Sequence, residues 1–186
     1  AYTRRNIEVP YVAKQTLRQA LNQLERSGLT VAKLVYKEDM TSTDYVIKQS
    51  IGSDEITPKS KLQAPIGTGV TLQVSYQEKE KNTATPRLVG LSLQQAKNTL
   101  WDSGLNVAEV VYDDSVGDLI ACRKAKVYKQ SSKIGTQLHR GSEVSLYLTC
   151  DDTLIDSMNT IATNEVKELE KINSKAKKRE AEIVEE

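Results

Sequence analysis

Apolar residues recur in two short segments at the spacing of a single helix face. Residues three and four positions apart share one face, so each segment predicts a short amphipathic helix. The two stripes are Leu17, Ala20, Leu21 and Leu24, and Leu93, Ala96, Leu100 and Trp101.

Polar residues bound both predicted helices. Thr16 and Ser92 each precede an apolar stripe and are followed three residues later by glutamine, which is the capping-box pattern. Gly28 and Gly104 follow the last apolar positions, where helices commonly end in a left-handed residue. The predicted helices span about residues 16–27 and 92–103.

Three segments rich in Val, Leu and Tyr follow each helix and predict strands. They are residues 29–36, 45–49 and 67–74 after the first helix, and 105–112, 126–130 and 141–148 after the second. One helix packed on a three-stranded antiparallel sheet is among the smallest two-layer arrangements. The predicted fold class is therefore α+β, with two small tandem modules of this kind.

The two predicted modules are copies of one another. Residues 9–36 and 85–112, aligned at a shift of 76 residues, are identical at 13 of 28 positions, so the chain contains an internal repeat. The first copy departs from the second by Lys14 in place of Gly90 and by about seven extra residues within 51–61. The predicted organisation is an N-terminal flank at 1–8, modules at 9–76 and 85–150, a linker at 77–84, and a tail at 151–186.

The tail contains no Gly or Pro and carries many charges. Ala162, Leu169, Ala176 and Ile183 recur every seven residues, but charged residues occupy most of the intermediate positions, which makes a poor coiled-coil seam. The prediction is a charged helical or frayed, disordered tail. The alternative is a helix that forms with a partner or dimerises.

The repeated motif resembles that of the PASTA domain. Each copy follows the order Pro-x-φ-x-x-x-(Ser/Thr)-Leu-x-x-Ala, then Leu-x-x-x-Gly-Leu-x-Val, where φ is apolar; a Gln-Ser pair and a Gly-rich turn before the last strand come later. PASTA domains occur on penicillin-binding proteins and bacterial Ser/Thr kinases. The resemblance implies a non-catalytic, extracytoplasmic module that binds peptidoglycan, muropeptides or, in some members, β-lactams.

Four basic side chains of the second copy are the candidate ligand-binding residues. They flank two turns and the lead-in, which is the short extended segment between the start of a repeat and its predicted helix. These residues are Arg87, Lys133, His139 and Arg140. Glycan-peptides present carboxylates, amides and hydroxyls, and an arginine can bind a carboxylate bidentately.

The same family resemblance leaves a second function open. Some PASTA repeats act as spacers or as interaction modules of cell-envelope or division complexes. The loop insertions, which differ between the copies, and the charged tail favour this alternative.

Charge is spread evenly over the two modules. Each has eight basic and six acidic residues, and the tail has six basic and ten acidic ones. No segment concentrates the positive charge that phosphate contacts require, so nucleic acid is not expected as a partner.

The sequence offers one pair of cysteines and no catalytic set. Cys122 and Cys150 both lie in the second copy and are a disulfide candidate in an oxidising compartment, with two free thiols as the alternative. His139 is the only histidine and has no metal-ligand spacing around it. We therefore expect no enzyme, no metal and no cofactor.

No apolar run is long enough to span a membrane. The chain begins at Ala1 rather than Met, which suggests that it was cut from a longer protein. In the family the repeats follow a single membrane span. The expected location is therefore the periplasm or cell surface, with membrane contact only through a trimmed N-terminal anchor.

Overall fold

A computed structural model describes residues 5–117 and 124–184 and confirms the α+β class. Its internal contacts divide the chain into two compact units. The first unit contains the chain up to Thr83 with Leu100–Val107 and Leu138–Glu143, and the second contains Ala84–Thr99, Ala108–Gln137 and the chain from Val144 onward.

Both predicted repeat helices are present. Helix α1 spans Leu17–Arg26 and helix α2 spans Leu93–Asp102. The hydroxyls of Thr16 and Ser92 accept the backbone N–H three residues on, at distances of 3.2 and 3.3 Å. These caps satisfy donors that the first helical turn leaves unpaired, so the predicted helix starts are confirmed.

The first repeat forms two sheets. The strands are β1 (Asn6–Glu8), β2 (Thr30–Glu38), β3 (Val46–Ile51), β4 (Asp54–Glu55), β5 (Gln63–Pro65) and β6 (Gly69–Tyr76). Strands β2, β6, β3 and β4 make a four-stranded sheet in that order, and β1 pairs with β5.

The predicted antiparallel, three-stranded sheet is wrong for the first repeat. Strand β6 is antiparallel to β3 but parallel to β2. A strand inserted between two neighbours that run in opposite directions can be antiparallel to only one of them. The fourth strand, β4, pairs with the end of β3 and lies inside the segment of extra residues, so the insertion extends the sheet.

The second repeat contains the strands β7 (Asn82–Ala84), β8 (Asn106–Tyr112), β9 (Lys126–Gln130), β10 (Gln137–His139) and β11 (Glu143–Thr149). They form a three-stranded sheet in the order β8, β11, β9, and β7 pairs with β10. Strands β9 and β11 are antiparallel, with an irregularity between Tyr147 and Leu148. The predicted linker holds β7 and a 3₁₀ turn at Glu78–Glu80; its boundaries stay a prediction.

Aliphatic side chains fill both cores. The central strand β6 contributes four buried residues, Val70, Leu72, Val74 and Ser75. The buried residues of the second unit include Leu88, Ala96, Val127, Val144, Leu146 and Leu148. Trp101 belongs to the hydrophobic core of the first unit, although the sequence places it in the stripe of α2.

The tail is a single helix, α3, at Asp152–Val184. Asp151 Oδ1 caps it by accepting the N–H groups of Thr153 and Leu154. Ile155 and Ala162 are buried, whereas every residue from 170 to 184 is exposed. The helical form of the predicted tail is therefore confirmed. Its first half packs against β9.

Candidate functional site

A groove of about 290 Å³ lies in the second unit between β9, the turn after it and the first half of α3. The repeat contributes Tyr128, Lys133 and Ile134, and α3 contributes Met158, Ile161 and Glu165. Ile161 stays 49% exposed in spite of its apolar side chain. The groove thus combines an apolar surface with two lysines, Lys129 and Lys133, and one acidic group, Glu165, within reach of a small ligand.

Gln130, at the end of β9, fixes the lead-in segment beside the groove. Its Oε1 accepts the N–H of Leu88 at 2.9 Å, and its Nε2 donates to the carbonyls of Pro86 and Ser132 at 3.0 and 2.9 Å. The backbone of Gly90 also bonds to Val127 O at 2.8 Å. The lead-in is therefore held against β9 by side-chain and backbone hydrogen bonds and forms one side of the groove.

Arg87 joins this lead-in to α3. Its guanidinium donates to Thr163 Oγ1 at 3.1 Å, to Asn159 Oδ1 at 3.1 Å and to the Asn159 carbonyl at 3.3 Å. Its Nε also approaches Val89 O at 3.4 Å. The guanidinium, predicted to bind a ligand carboxylate, is instead bonded to the helix that forms one wall of the groove.

Two glycines let α3 approach closely. A Cβ atom at Gly90 would collide with Asn159 Oδ1, and one at Gly135 would lie 2.9 Å from Leu169 Cδ1. Both glycines have positive φ, 93° and 85°, in the region that residues with a side chain rarely occupy. From the sequence, Gly90 is recognisable only as the counterpart of Lys14, and neither glycine has a predicted role in helix packing.

Lys133 is the one predicted ligand residue that lines the groove. It is exposed, and it forms no ion pair with any residue in the described ranges. The nearby Lys129 lies 5.2 Å above the ring of Tyr147, whose ring centre is 6.5 Å from that of Tyr128. Both lysines line the groove, and Lys129 already contacts an aromatic ring, so Lys133 is the first candidate to bind an anionic ligand.

Arg140 belongs to the first unit and is engaged there. Its Nη1 lies 2.9 Å from Asp44 Oδ2, its Nε donates to the Glu80 carbonyl at 2.7 Å, and its side chain is only 14% exposed. Asp44 also accepts the hydroxyl of Tyr36 at 2.7 Å. Burial, and after it the negative charge of Asp44, raises the pKa of Tyr36 well above its usual range.

His139 is exposed in the first unit. Its ring meets Tyr76 edge-on with 5.1 Å between ring centres, and its Nδ1 lies 2.8 Å from the carbonyl of Arg140. The four predicted residues are thus divided between the two units. Only Arg87 and Lys133 belong to the unit that holds the groove.

A wider concavity of about 460 Å³ in the first unit is lined by Thr16, Arg18, Asp44 and Asp102, among others. Desolvation raises the pKa of Asp102, and the charge of Arg18 partly opposes this shift. The concavity contains cap and ion-pair residues that already have protein partners, including Thr16 and Asp44. It is a weaker candidate than the groove.

The remaining predictions concern cysteines and metals. Cys150 is disulfide-bonded. Cys122 lies outside the described residues, so the proposed pairing of Cys122 with Cys150 stays a prediction. Across residues 5–117 and 124–184, no group of three or more His, Cys, Asp and Glu side chains could hold a metal ion. In the same ranges no helix is long and apolar enough to cross a membrane.

The family model that matches this chain is described as "PASTA domain" and covers residues 7–75 and 83–149. Two solved structures from Staphylococcus aureus are similar. One is the three-PASTA-domain segment of a Ser/Thr kinase, with 17% identity over 76% of this chain and a TM-score of 0.29. The other is the entire extracellular region of the Ser/Thr kinase PrkC, with 20% identity over 78% and a TM-score of 0.29.

This chain spans 65% and 47% of the lengths of those two solved chains. No significant match was found among curated proteins.

Proposed function

Since the chain belongs to the PASTA domain family, we propose that it is the extracytoplasmic wall-binding segment of a cell-envelope protein. PASTA domains are non-catalytic and typically serve as extracellular sensor or binding modules of kinases and penicillin-binding proteins. The proposed ligands are peptidoglycan or muropeptide fragments, and β-lactams are a second ligand class. A membrane anchor in the full-length protein is part of the proposal.

The groove of the second unit is the observation that carries this proposal. Lys133 offers a positive charge to a carboxylate, and Glu165 can accept bonds from amides or hydroxyls. Tyr128, Ile134 and Ile161 provide apolar surface beside these groups. A peptide linked to sugar presents all of these features, whereas a purely apolar ligand would leave both charges unpaired.

Lys133 is the residue to which we assign the ligand carboxylate. Arg87 and Arg140 already bond to protein acceptors. Either arginine would have to break those bonds before it could bind a ligand, which reduces the net gain. His139 is exposed and remains a weaker candidate, because it lies outside the unit that contains the groove.

Calorimetric titration with purified muropeptides tests the proposal at low and at physiological salt. We expect saturable binding by the parent protein and binding weakened roughly tenfold by Lys133→Ala, the usual effect of losing one charged hydrogen bond. Lys59→Ala removes an exposed lysine of the first repeat and is the matched control. A flat titration at both salts with folded protein, or equal binding by Lys133→Ala, would refute it.

A spacer or interaction module is the second candidate function. The engaged arginines and the exposed helical residues 170–184 favour it. A photo-crosslinker at Ile172, which is 61% exposed, tests it in intact cells. An adduct with an envelope or division protein, together with a flat muropeptide titration, would favour this role.

A further inference from the structure

Residues that meet α3 in the second repeat differ from their equivalents in the first. At the repeat shift of 76, Arg87 corresponds to Tyr11 and Gly90 to Lys14. The backbone confirms the second equivalence, because Gly90 N bonds to Val127 O in β9 and Lys14 N bonds to Val46 O in β3. These are the second strands after the helix of each repeat. The two lead-ins are therefore built alike but carry different surface groups.

Gly135 has its own equivalent, Lys61. In each repeat the carbonyl of the next residue, Thr136 or Leu62, accepts the N–H of the residue before the lead-in proline, at 2.8 and 2.9 Å. Both residues have positive φ, 85° in Gly135 and 45° in Lys61. The two positions are thus equivalent in backbone and differ in side chain.

The glycines are not required by backbone conformation alone. Lys14 and Lys61 hold left-handed conformations in the first repeat, so this fold tolerates a lysine there. What glycine provides is space, because Asn159 and Leu169 of α3 lie where side chains would project. Arg87 adds hydrogen bonds to Asn159 and Thr163, which Tyr11 cannot reproduce.

Only Ile155 and Ala162 are buried among the described residues of α3. An element with so few buried apolar side chains opens more readily than the core it rests on. We infer that the second repeat carries a helix-docking face, specified by Arg87, Gly90 and Gly135, on which α3 docks reversibly to close the groove.

Docking and ligand binding then stabilise each other. Met158, Ile161 and Glu165 leave the groove when α3 undocks, so a ligand that contacts them favours the docked helix. The two equilibria are linked by a single coupling factor, which applies equally in both directions. This coupling step rests on the proposed function, whereas the docking face does not.

Amide exchange of the full chain tests the docking face. Replacing Arg87 and Gly90 by their first-repeat equivalents, as Arg87→Tyr and Gly90→Lys, should accelerate exchange in residues 155–169 at least tenfold. Strands β9 and β11 should keep their exchange rates. Gly52→Lys, which places a lysine at positive φ where nothing lies within 4 Å, is the control for backbone strain.

Two results would overturn the inference. Unchanged amide exchange in residues 155–169 of the substituted proteins would show that Arg87 and Gly90 do not specify the docking of α3. Equal acceleration of β9 and β11 would show that α3 unfolds only together with the repeat and does not dock reversibly.

A purified muropeptide at a hundredfold its dissociation constant tests the coupling. It should slow exchange of the parent helix by roughly 100-fold, the limit set by mass action. Binding without slower exchange would overturn the coupling. No binding to the parent would refute the proposed function, and the exchange of the two variants would still decide the docking face.

Discussion

The two repeats place an equivalent glutamine behind different surfaces, buried in the first repeat and partly buried in the second. Gln49 Oε1 accepts the N–H groups of Val12 and Ala13, at 2.5 and 3.1 Å, and its Nε2 donates to Pro10 O at 2.8 Å. Gln130 binds its own lead-in in the same way but accepts a single N–H there. The shared motif therefore maintains the lead-in, while the outer face of each repeat is free to change.

That difference separates the parts of a repeat that maintain the fold from the parts that vary between the copies. Backbone bonds and core positions recur in both copies, so they explain the common fold. The groove and its helix occur on the second copy, where glycines replace the lysines of the first. We therefore look for binding at the positions where the copies disagree.

Removing the shared glutamine should give the largest effect. Gln49→Ala leaves two buried N–H groups and one carbonyl without their partner and creates a cavity, so we expect a loss of about 3–5 kcal/mol. Gln130→Ala should cost about 2 kcal/mol, because the three backbone groups that it frees are less buried. Fluorescence of Trp101 during urea unfolding reports the first unit, and amide exchange reports the second.

Gln63→Ala, at an exposed position of β5, is the control and should change stability by less than about 0.5 kcal/mol. Equal losses for Gln49→Ala and Gln130→Ala would mean that the deeper burial of Gln49 contributes nothing to stability.

The docked helix should respond to its buried anchor. Ile155 is 6% exposed, so Ile155→Ala should weaken docking of α3 by about 2–3 kcal/mol. Ile172→Ala, at a position 61% exposed on the same helix, should have little effect. Amide exchange in residues 155–169 measures both. An equal response to the two substitutions would contradict the assignment of docking to the first half of α3.

Equivalent tyrosines should respond differently to alkaline pH. The pKa of Tyr36 is raised in the folded protein, so near pH 10 the unfolded chain loses the phenol proton first. Stability that is present below about pH 10 should fall above it, by up to about 1.4 kcal/mol per pH unit. Tyr36→Phe should remove this slope.

Tyr112→Phe alters the equivalent, partly exposed position in β8 and should leave the slope in place. Urea unfolding between pH 8 and 11, followed by Trp101 fluorescence, measures each protein. If the free energy of unfolding of Tyr36→Phe still falls above about pH 10, the pH dependence comes from another titrating group.

The helix caps should give the smallest and most nearly equal effects. Thr16→Ala and Ser92→Ala each remove one cap bond of similar length, so each should destabilise its repeat by about 1 kcal/mol. Urea unfolding and amide exchange measure these losses. A twofold or larger difference would show that the caps are not equivalent in spite of their matching geometry.

Local patterns predicted the elements well. The capping boxes and apolar stripes located both helices to within a residue or two, because the signals depend on neighbours three or four positions apart. The parallel pairing of β2 with β6 was missed. It depends on which strand enters the middle of the sheet, and no local pattern encodes that choice.

The candidate site was harder to predict, because its contacts join distant parts of the chain. Arg87 lies 72 residues from Asn159, and Arg140 lies 96 residues from Asp44. A basic residue beside a turn does not indicate that its hydrogen-bond acceptor lies so far away along the sequence. The exchange of Lys14 for Gly90 was visible in the repeat alignment, and it was the available signal that the second copy packs against something.

Reversible docking of α3 would move its exposed end. Residues 170–184 form an unsupported helical rod roughly 20 Å long at 1.5 Å per residue. Because the rod is continuous with the docked half, a tilt of about 10° at the groove would displace its tip by about 3.5 Å. A small shift of α3 beside Arg87 would thus become a larger displacement of the helix tip, which a neighbouring molecule in contact with the tip would follow.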